Sequence, residues 1–250
     1  MRLTLAFVLG ITAALPVVAE TRSIASGTVS ITPVISDLDQ PWAMGFLPDG
    51  GVLVTERTGR LWHVAPDGTR VDVAGVPEVV AEGQGGLLDV LIPRDFAQTR
   101  QVYLSYSKPQ GRGSGTALGV GMLSADGAVL EGFHAIYEMD PGSSGGRHFG
   151  SRIVEGTDGF LYLTIGDRGD RPAAQNLAQE NGSVIRVSRD GTVPDDNPFI
   201  GTAGAQPEIW SYGHRNPQGA ALDANGQLWV NEHGARGGDE VNLVQRGANY

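Results

Sequence analysis

The 250-residue chain contains no cysteine. Disulfide bonds, thiol nucleophiles and thiolate metal ligands are therefore excluded. An exported chain without disulfides has to be held together by its apolar core, by a bound metal or by association with further chains. Because 40% of its residues are hydrophobic, the chain has enough apolar material for a substantial core.

Basic residues are also scarce. The chain carries 18 Lys and Arg against 28 Asp and Glu, which gives a formal net charge of −10. A protein that binds nucleic acid neutralises phosphates with clustered basic side chains. The composition therefore argues against a nucleic-acid partner, and it is typical of a soluble acidic protein.

The N-terminus has the pattern of a secretory signal. Arg2 is followed by an apolar run from Leu3 to Val18, and small residues ending at Ala19 offer a cleavage site before Glu20. A transmembrane anchor is the alternative, but the run is slightly short for a membrane span. We predict a signal peptide over residues 1–19, no membrane span, a periplasmic or secreted location, and one mature domain over residues 20–250.

No long segment has the periodicity of a helix. Instead, short apolar stretches lie between Asp-Gly and Asn-Gly turns, which is typical of antiparallel hairpins. A unit of entry strand, turn and apolar strand recurs in three places, each followed by another turn and strand: 41–62, 151–187 and 217–244. The pattern predicts an all-β protein.

Repeated four-stranded meanders favour a β-propeller, with a large β-sandwich or a β-helix as the alternative. A blade takes about 40–50 residues, so the mature chain would supply about four to five blades. The sequence ends at Tyr250, directly after a strand pattern. Because a closed propeller must protect the edge of its last blade, we expect the ring to be incomplete at the C-terminus. A short homologue that closes its ring as a homodimer is the alternative.

Two residues near the second repeat could form an acid–base pair. His148 lies in a glycine-rich stretch just before a predicted strand, and Asp167 follows the next strand. If these strands form a hairpin, Asp167 returns close to His148 and could orient its imidazole. The alternatives are a solvated loop histidine and an ordinary turn aspartate.

Two further segments carry polar side chains in turns. Gly213–Pro217 holds Arg215, which could stabilise a developing oxyanion, although a solvated turn is equally compatible with the sequence. Glu232–Glu240 combines glycines with carboxylates, a composition that suits a hard cation such as calcium. Its spacing does not match an EF-hand loop, so spacing alone is a weak indication.

In this order, the motifs resemble those of the soluble aldose sugar and glucose dehydrogenases that depend on pyrroloquinoline quinone (PQQ). The resemblance covers nearly all of the mature chain. The matching stretches are PWAMGFLPDG with VTERTGRL (41–61), GQGGLLDV (83–90), HFGSRIV (148–154), IGDRGD (165–170), GHRNPQG (213–219), EHGARGGDEVNL (232–243) and GANY (247–250). The GHRNPQG and GDE-x-NL motifs are specific, whereas the Asp-Gly turns are not.

The resemblance implies a six-bladed propeller, export, PQQ, calcium and an aldose substrate. It implies that His148 is the catalytic base and that Asp167 orients it. Arg215 and Asn216 would contact the cofactor, with Arg215 at the quinone oxygen that becomes anionic. Further positions implied by the resemblance are Gln84 for the cofactor and substrate pocket, Gly234 and Ala235 for an active-site calcium, and Glu240 with Tyr250 for a structural calcium.

Two departures from the family pattern bear on function. The glucose-dehydrogenase branch has an acidic residue just before its catalytic histidine, whereas this chain has Arg147, as the broader aldose branch does. Members of the family also continue for a hundred or so residues, which carry basic groups that hold the cofactor's carboxylates. We therefore expect residues 1–250 alone to bind PQQ poorly.

The predicted function is oxidation of aldose sugars at the anomeric carbon, with hydride transfer to PQQ and then to an external electron acceptor. A calcium-stabilised propeller that binds a sugar or a protein without chemistry is the alternative. A metal-dependent propeller lactonase would need several carboxylate and Asn ligands from different blades, and the sequence has no clear set of them.

Overall fold

Strands make up nearly all of the regular structure. The computed structural model describes residues 20–111, 113–140 and 142–250, so the predicted signal peptide and its alternative, an N-terminal anchor, lie outside the described residues. The described part holds seventeen strands, one short α-helix, α1 (Phe96–Thr99), and one 3-10 helix (Arg171–Gln175). None of these helices has the length and apolar character needed to cross a bilayer.

The chain divides into two compact units after Asp37. The first contains a hairpin of β1 (Glu20–Ile24) and β2 (Gly27–Ile31), whose residues are all exposed. The second unit, Leu38–Tyr250, contains the remaining strands in four antiparallel sheets.

Each of the four sheets is a meander in which strands pair in chain order, the arrangement of a propeller blade. Blade 1 consists of β3 (Pro41–Phe46), β4 (Val52–Glu56), β5 (Arg60–Val64) and β6 (Arg70–Asp72). Blade 2 consists of β7 (Leu87–Leu91), β8 (Gln101–Gln110), β9 (Gly113–Leu123) and β10 (Leu130–Glu138). Blade 3 consists of β11 (Ile153–Glu155), β12 (Leu161–Ile165), β13 (Ser183–Val187) and β14 (Ile209–Ser211). Blade 4 has three strands, β15 (Pro217–Leu222), β16 (Leu228–Glu232) and β17 (Glu240–Leu243). The all-β propeller prediction is confirmed, and the total of six blades stays a prediction.

The turn glycines of the repeat occupy the same position in three of the blades. Gly50, Gly159 and Gly226 join the first two strands of blades 1, 3 and 4, and their φ angles are 89°, 83° and 78°. Residues with a Cβ seldom adopt this left-handed conformation. The Asp-Gly and Asn-Gly pairs of the sequence are therefore the points at which each blade reverses direction.

The hydrophobic core is divided into layers between neighbouring blades. Three clusters of buried side chains lie between blades 1 and 2, blades 2 and 3, and blades 3 and 4. Members of these clusters are Leu53, Leu87 and Leu104 in the first, Leu118, Leu161 and Ile185 in the second, and Val184, Leu228 and Val230 in the third. Blades 2 and 3 have a neighbour on each face, so strands such as β12 are buried along their whole length, whereas β16 of blade 4 alternates between buried and exposed residues.

A buried hydroxyl on the second strand of each of the first three blades donates a hydrogen bond to a carbonyl at the start of the next blade. The three bonds are Thr55 Oγ1 to Leu88 O (2.6 Å), Ser105 Oγ to Ser151 O (2.6 Å) and Thr164 Oγ1 to Pro217 O (2.7 Å). The three donor side chains are at most 1% exposed. Each bond gives a backbone carbonyl of one blade a buried side-chain donor from the preceding blade, and it fixes the position of one blade along the next.

Arg152 joins all four blades. Its guanidinium donates to Asp89 Oδ1 at 2.5 Å and to Gln218 O at 3.1 Å, and it lies 4.6 Å from the centre of the Trp42 ring. Asp89 also accepts a hydrogen bond from Ile153 N at 2.7 Å. Burial raises the pKa of Asp89 to about 6 against the attraction of Arg152. This ion pair, buried on its Asp89 side, therefore fixes how the blades meet, at a cost in desolvation of the carboxylate.

We expect Thr164→Val to lower the free energy of unfolding by about 2 kcal/mol. The change leaves two buried backbone groups without their partner, since Thr164 Oγ1 also accepts from Arg152 N at 2.9 Å. Thermal unfolding should shift downwards by roughly 4–8 °C for a domain of this size. Thr164→Ser keeps the hydroxyl and serves as the control; equal melting temperatures for the Val and Ser variants would show that the hydroxyl is unimportant.

Candidate active site

His148 and Asp167 lie together at one end of blade 3. His148 is in the loop before β11, Asp167 follows β12, and these two strands pair antiparallel with Ile153 opposite Leu163. His148 Nδ1 is 2.6 Å from Asp167 Oδ1, and the side chains are 12% and 1% exposed. The hairpin therefore brings the two residues into contact, as its geometry requires.

The Asp167 backbone and carboxylate are held on several sides. Its Oδ1 also accepts from Gly169 N at 2.7 Å, its own N–H donates to Arg215 O at 2.8 Å, and its carbonyl accepts from Asn181 Nδ2 at 3.1 Å. A carboxylate can only accept, so His148 Nδ1 carries the proton in this pair. In the neutral imidazole the Nε2 lone pair is then left free to accept a proton.

The backbone of His148 is held by the loop that carries Gln84. Gln84 Oε1 accepts from His148 N at 2.7 Å, and Gln84 N donates to Gly146 O at 2.8 Å. A Cβ on Gly83 would lie 2.0 Å from Gly146 O, so only glycine permits this approach. Arg57 donates to Gly83 O and to Gly85 O, the carbonyls on either side of Gln84.

Arg215 and Asn216 lie in the connection between blades 3 and 4. Asn216 is buried, and its Oδ1 accepts from Gly150 N at 3.2 Å, which links this connection to the His148 loop. Arg215 Nη1 donates to His233 O at 2.7 Å. The guanidinium therefore supports the start of the glycine-rich segment that contains Gly234.

Glu232 anchors this corner from the end of β16. Its two carboxylate oxygens accept from His214 Nδ1 at 2.8 Å and from Arg215 N at 2.6 Å. Burial alone would raise the pKa of Glu232, but the hydrogen bonds and charge of His214 and its backbone donors bring it below the ordinary value. The His214 ring stacks on Tyr250 with 4.6 Å between ring centres.

A cavity of about 710 Å³ lies against these residues. Six of the predicted site residues line it, namely Asp167, Arg215, Gly234, Ala235, Glu240 and Tyr250. Its lining also includes Arg171 and Gln175 of the 3-10 helix, which sequence patterns did not single out. His148, Gln84 and Asn216 do not line the cavity. His148 contacts the lining residue Asp167, Gln84 contacts His148, and Asn216 follows the lining residue Arg215 in the chain.

Calcium prefers oxygen ligands, and both carboxylate and backbone carbonyl oxygens are available near Gly234. In the described ranges, no group of three or more His, Asp or Glu side chains is placed to hold a metal. Glu240 Oε2 accepts from Asn242 Nδ2 at 3.0 Å. The Tyr250 hydroxyl donates to Leu243 O and accepts from Gln245 N. A cation here would therefore need backbone carbonyls in addition to Glu240.

Together, the fold and the site define a β-propeller protein with a carboxylate-oriented imidazole beside a ligand-sized cavity. The chain belongs to the Glucose / Sorbosone dehydrogenase family, whose family model matches residues 38–250.

Named relatives agree with this membership. The chain is 47% identical to aldose sugar dehydrogenase YliI of Escherichia coli over 90% of its own length, and 33% identical to quinoprotein glucose dehydrogenase B of Acinetobacter calcoaceticus over 87%. It covers 62% and 51% of these two proteins. The chain therefore spans about half to three-fifths of the length of these relatives.

Solved structures show the same architecture. The apo-form of the E. coli aldose sugar dehydrogenase superposes with a TM-score of 0.81, covering 85% of this chain and 62% of that one. The PQQ-bound form of aldose sugar dehydrogenase from Streptomyces coelicolor superposes with a TM-score of 0.78 at 29% identity. That match covers 95% of this chain and 67% of the other.

Sequence patterns alone missed two buried anchors of the site, Arg168 and Asn181, and placed a third, Glu232, in a cation-binding segment. Each of the three bonds to a residue beside a predicted site residue or to its backbone, and each is at most 7% exposed. Their partners are distant in the chain or depend on backbone direction, so short motifs do not reveal them.

We expect Glu232→Gln to destabilise the fold by about 2 kcal/mol at neutral pH, the scale of hydrogen bonds to a charged group. An amide can accept at one end only, so it cannot serve both His214 and Arg215. Because the pKa of Glu232 is lowered in the fold, its contribution is present above the ordinary value of 4.5 and is lost as the pH falls through the folded value. Urea unfolding of the wild-type protein and the variant at pH 7 and pH 3 measures the gap in unfolding free energy between them.

The exposed Glu131→Gln variant is the control and should show no comparable gap at pH 7. A Glu232→Gln gap of the same size at both pH values would contradict the assigned role of the carboxylate.

Proposed function

We propose that the protein is a PQQ-dependent aldose sugar dehydrogenase that oxidises the anomeric carbon of an aldose to a lactone and passes electrons to an external acceptor. The contact between His148 and Asp167 carries this proposal, because a binding module needs no oriented base. The names of the relatives, which are aldose and glucose dehydrogenases, support the substrate class. Export to the periplasm or beyond belongs to the same proposal.

The cavity fits the cofactor in size, and two arginines line it together with the carboxylates of Asp167, Glu232 and Glu240. PQQ is a planar tricarboxylate, and a volume of about 710 Å³ is within the usual range for small-molecule sites. Arg171 and Arg215 line it and offer two guanidinium groups for carboxylate or quinone oxygens. Arg171 therefore adds a second cation to the one that the sequence suggested. Bound PQQ would supply the hydride acceptor.

Within this proposal, His148 removes the proton from the anomeric hydroxyl through Nε2. Asp167 holds the Nδ1 proton, keeps the ring oriented and stabilises the imidazolium that forms. Arg215 lines the cavity, and its guanidinium would stabilise negative charge that develops on an oxygen there. Gln84 and Asn216 hold the loop that carries His148 through bonds to its backbone. By the family resemblance, both would also contact the cofactor.

Calcium is the metal proposed for this corner of the cavity. Carbonyl oxygens of Gly234 and Ala235 would hold one ion, and Glu240 with Tyr250 would serve a structural position. All four residues line the same cavity, so the two positions would lie close to the cofactor.

His148→Gln should lower kcat about a hundredfold or more, which is the scale of lost general-base catalysis. PQQ affinity should be unchanged, because His148 does not line the cavity. The measurement is dye-linked oxidation of an aldose by the full-length protein with PQQ and calcium, together with a PQQ titration. His134→Gln, an exposed histidine on β10, is the control. Turnover of the His148 variant near that of the control would remove His148 from its role.

The same assay separates the enzyme from a non-catalytic propeller that binds a sugar or a protein. Absorbance changes on adding PQQ and calcium, followed by dye reduction with an aldose, support the dehydrogenase. Sugar binding with no PQQ uptake and no dye reduction would favour the binding protein.

Removal of divalent cations should lower the melting temperature as well as the activity. A metal that binds only the folded state stabilises it by mass action, by about 2.7 kcal/mol at a hundredfold excess over Kd. Thermal unfolding in excess chelator, with metal content checked by elemental analysis, provides the test. Glu240→Gln should show a smaller chelator effect. An unchanged melting temperature in protein shown to be metal-free would reject the structural calcium.

A further inference from the structure

Arg168 contacts the residues on both sides of His148. Its Nη1 donates to Arg147 O at 2.5 Å, and its Cζ lies 3.3 Å from the centre of the Phe149 ring. Its Nη2 donates to Ser114 O at 3.3 Å, on β9 of blade 2. The Arg168 side chain therefore holds the His148 loop against the neighbouring blade.

This placement of a cation is costly, which indicates a specific role. Arg168 is 3% exposed, and its Nε has no hydrogen-bond partner in the described part of the chain. Burial lowers its pKa to about 10 despite the nearby Asp167, so it stays charged at neutral pH. Two carbonyls and an aromatic face compensate a buried guanidinium only in part.

The backbone at both residues is in a disfavoured conformation. His148 has a φ angle of 54° and Arg168 one of 57°, both in the left-handed region that non-glycine residues seldom adopt. Without contacts on each side, the His148 loop would relax towards ordinary angles and carry the imidazole away from Asp167.

We propose that Arg168 is a positioning residue for His148. Two consecutive residues hold this histidine: Asp167 binds its imidazole, and Arg168 holds the flanking residues Arg147 and Phe149. The inference rests on the proposed function of His148 as the catalytic base. Arg168 does not line the cavity and touches neither cofactor nor substrate in this scheme. Its loss should therefore slow the chemical step without weakening ligand binding.

Arg100 provides a matched control elsewhere in the fold. It too has a left-handed backbone, with a φ angle of 53°. Its guanidinium donates to Leu123 O at 2.6 Å and to Ser124 O, and it lies 5.4 Å from the Phe96 ring centre. Arg100 follows α1 and lies outside the lining of the site cavity. Arg100 is less buried than Arg168, and removing it should break two bonds to backbone carbonyls without affecting His148.

The test compares Arg168→Leu with Arg100→Leu in the full-length protein with PQQ and calcium. Arg168→Leu should lower kcat about tenfold to a hundredfold, the effect of misplacing a catalytic group by up to about 1 Å. Its KM for the aldose and its PQQ affinity should stay unchanged. The kinetic isotope effect with a C1-deuterated aldose should rise, because proton and hydride transfer become more rate-limiting. Arg100→Leu should retain kcat and the isotope effect.

A kcat for Arg168→Leu within twofold of that for Arg100→Leu would overturn the inference. A lower kcat with an unchanged isotope effect and a smaller PQQ-binding fraction would also overturn it, since that is the result of partial unfolding. If Arg168→Leu does not fold, Arg168→Lys takes its place, because it keeps the charge but cannot serve both carbonyls and the ring.

A spectroscopic measurement separates this inference from the proposed function. In protein with labelled histidine, the hydrogen-bonded Nδ1 proton of His148 should give a downfield NMR signal that Arg168→Leu loses and Arg100→Leu keeps. Retention of the signal in Arg168→Leu would reject the positioning role. Absence of aldose oxidation by the wild-type protein would reject the proposed function, while the NMR comparison would still decide whether Arg168 positions His148.

Discussion

Each of the first three blades has a buried hydroxyl that fixes its position relative to the next blade. The donor is always on the second strand, and the acceptor carbonyl is always at the entry of the following blade, as with Thr164 and Pro217. Hydrophobic layers between blades supply most of the stabilisation, but apolar contacts have little direction and would allow neighbouring sheets to slide. The hydroxyls, with the Arg152–Asp89 pair, therefore set the alignment that all other contacts require.

The candidate site follows directly from that alignment. Gln84 comes from the connection between blades 1 and 2, His148 from the next connection, and Arg215 from the one after it. These connections touch through hydrogen bonds between a side chain of one and a backbone N–H of another. A small rotation between blades would therefore disturb several groups of the site at once, whereas a change within a blade would disturb few.

Much of this arrangement could be predicted from the sequence, because it depends on local patterns. Asp-Gly and Asn-Gly turns mark the blades, and hairpin geometry alone places Asp167 near His148. Other parts depend on burial and on contacts between distant segments. Glu232 has the composition of a cation ligand, but in the fold it is a buried acceptor for His214 and the Arg215 backbone. Arg168 has the pattern of a turn residue, and only the packed structure shows its guanidinium beneath the His148 loop.

The left-handed backbone at His148 has a consequence for the entropy of ligand binding. A residue in this conformation has few alternative states once its neighbours are packed. Here Gln84 from the connection between blades 1 and 2, together with Asp167 and Arg168 of blade 3, holds His148 and its loop. The imidazole is therefore already ordered when the chain folds, and ligand binding costs no further conformational entropy at this residue. Selectivity among ligands would accordingly reside in the walls of the cavity, which can vary without altering the base.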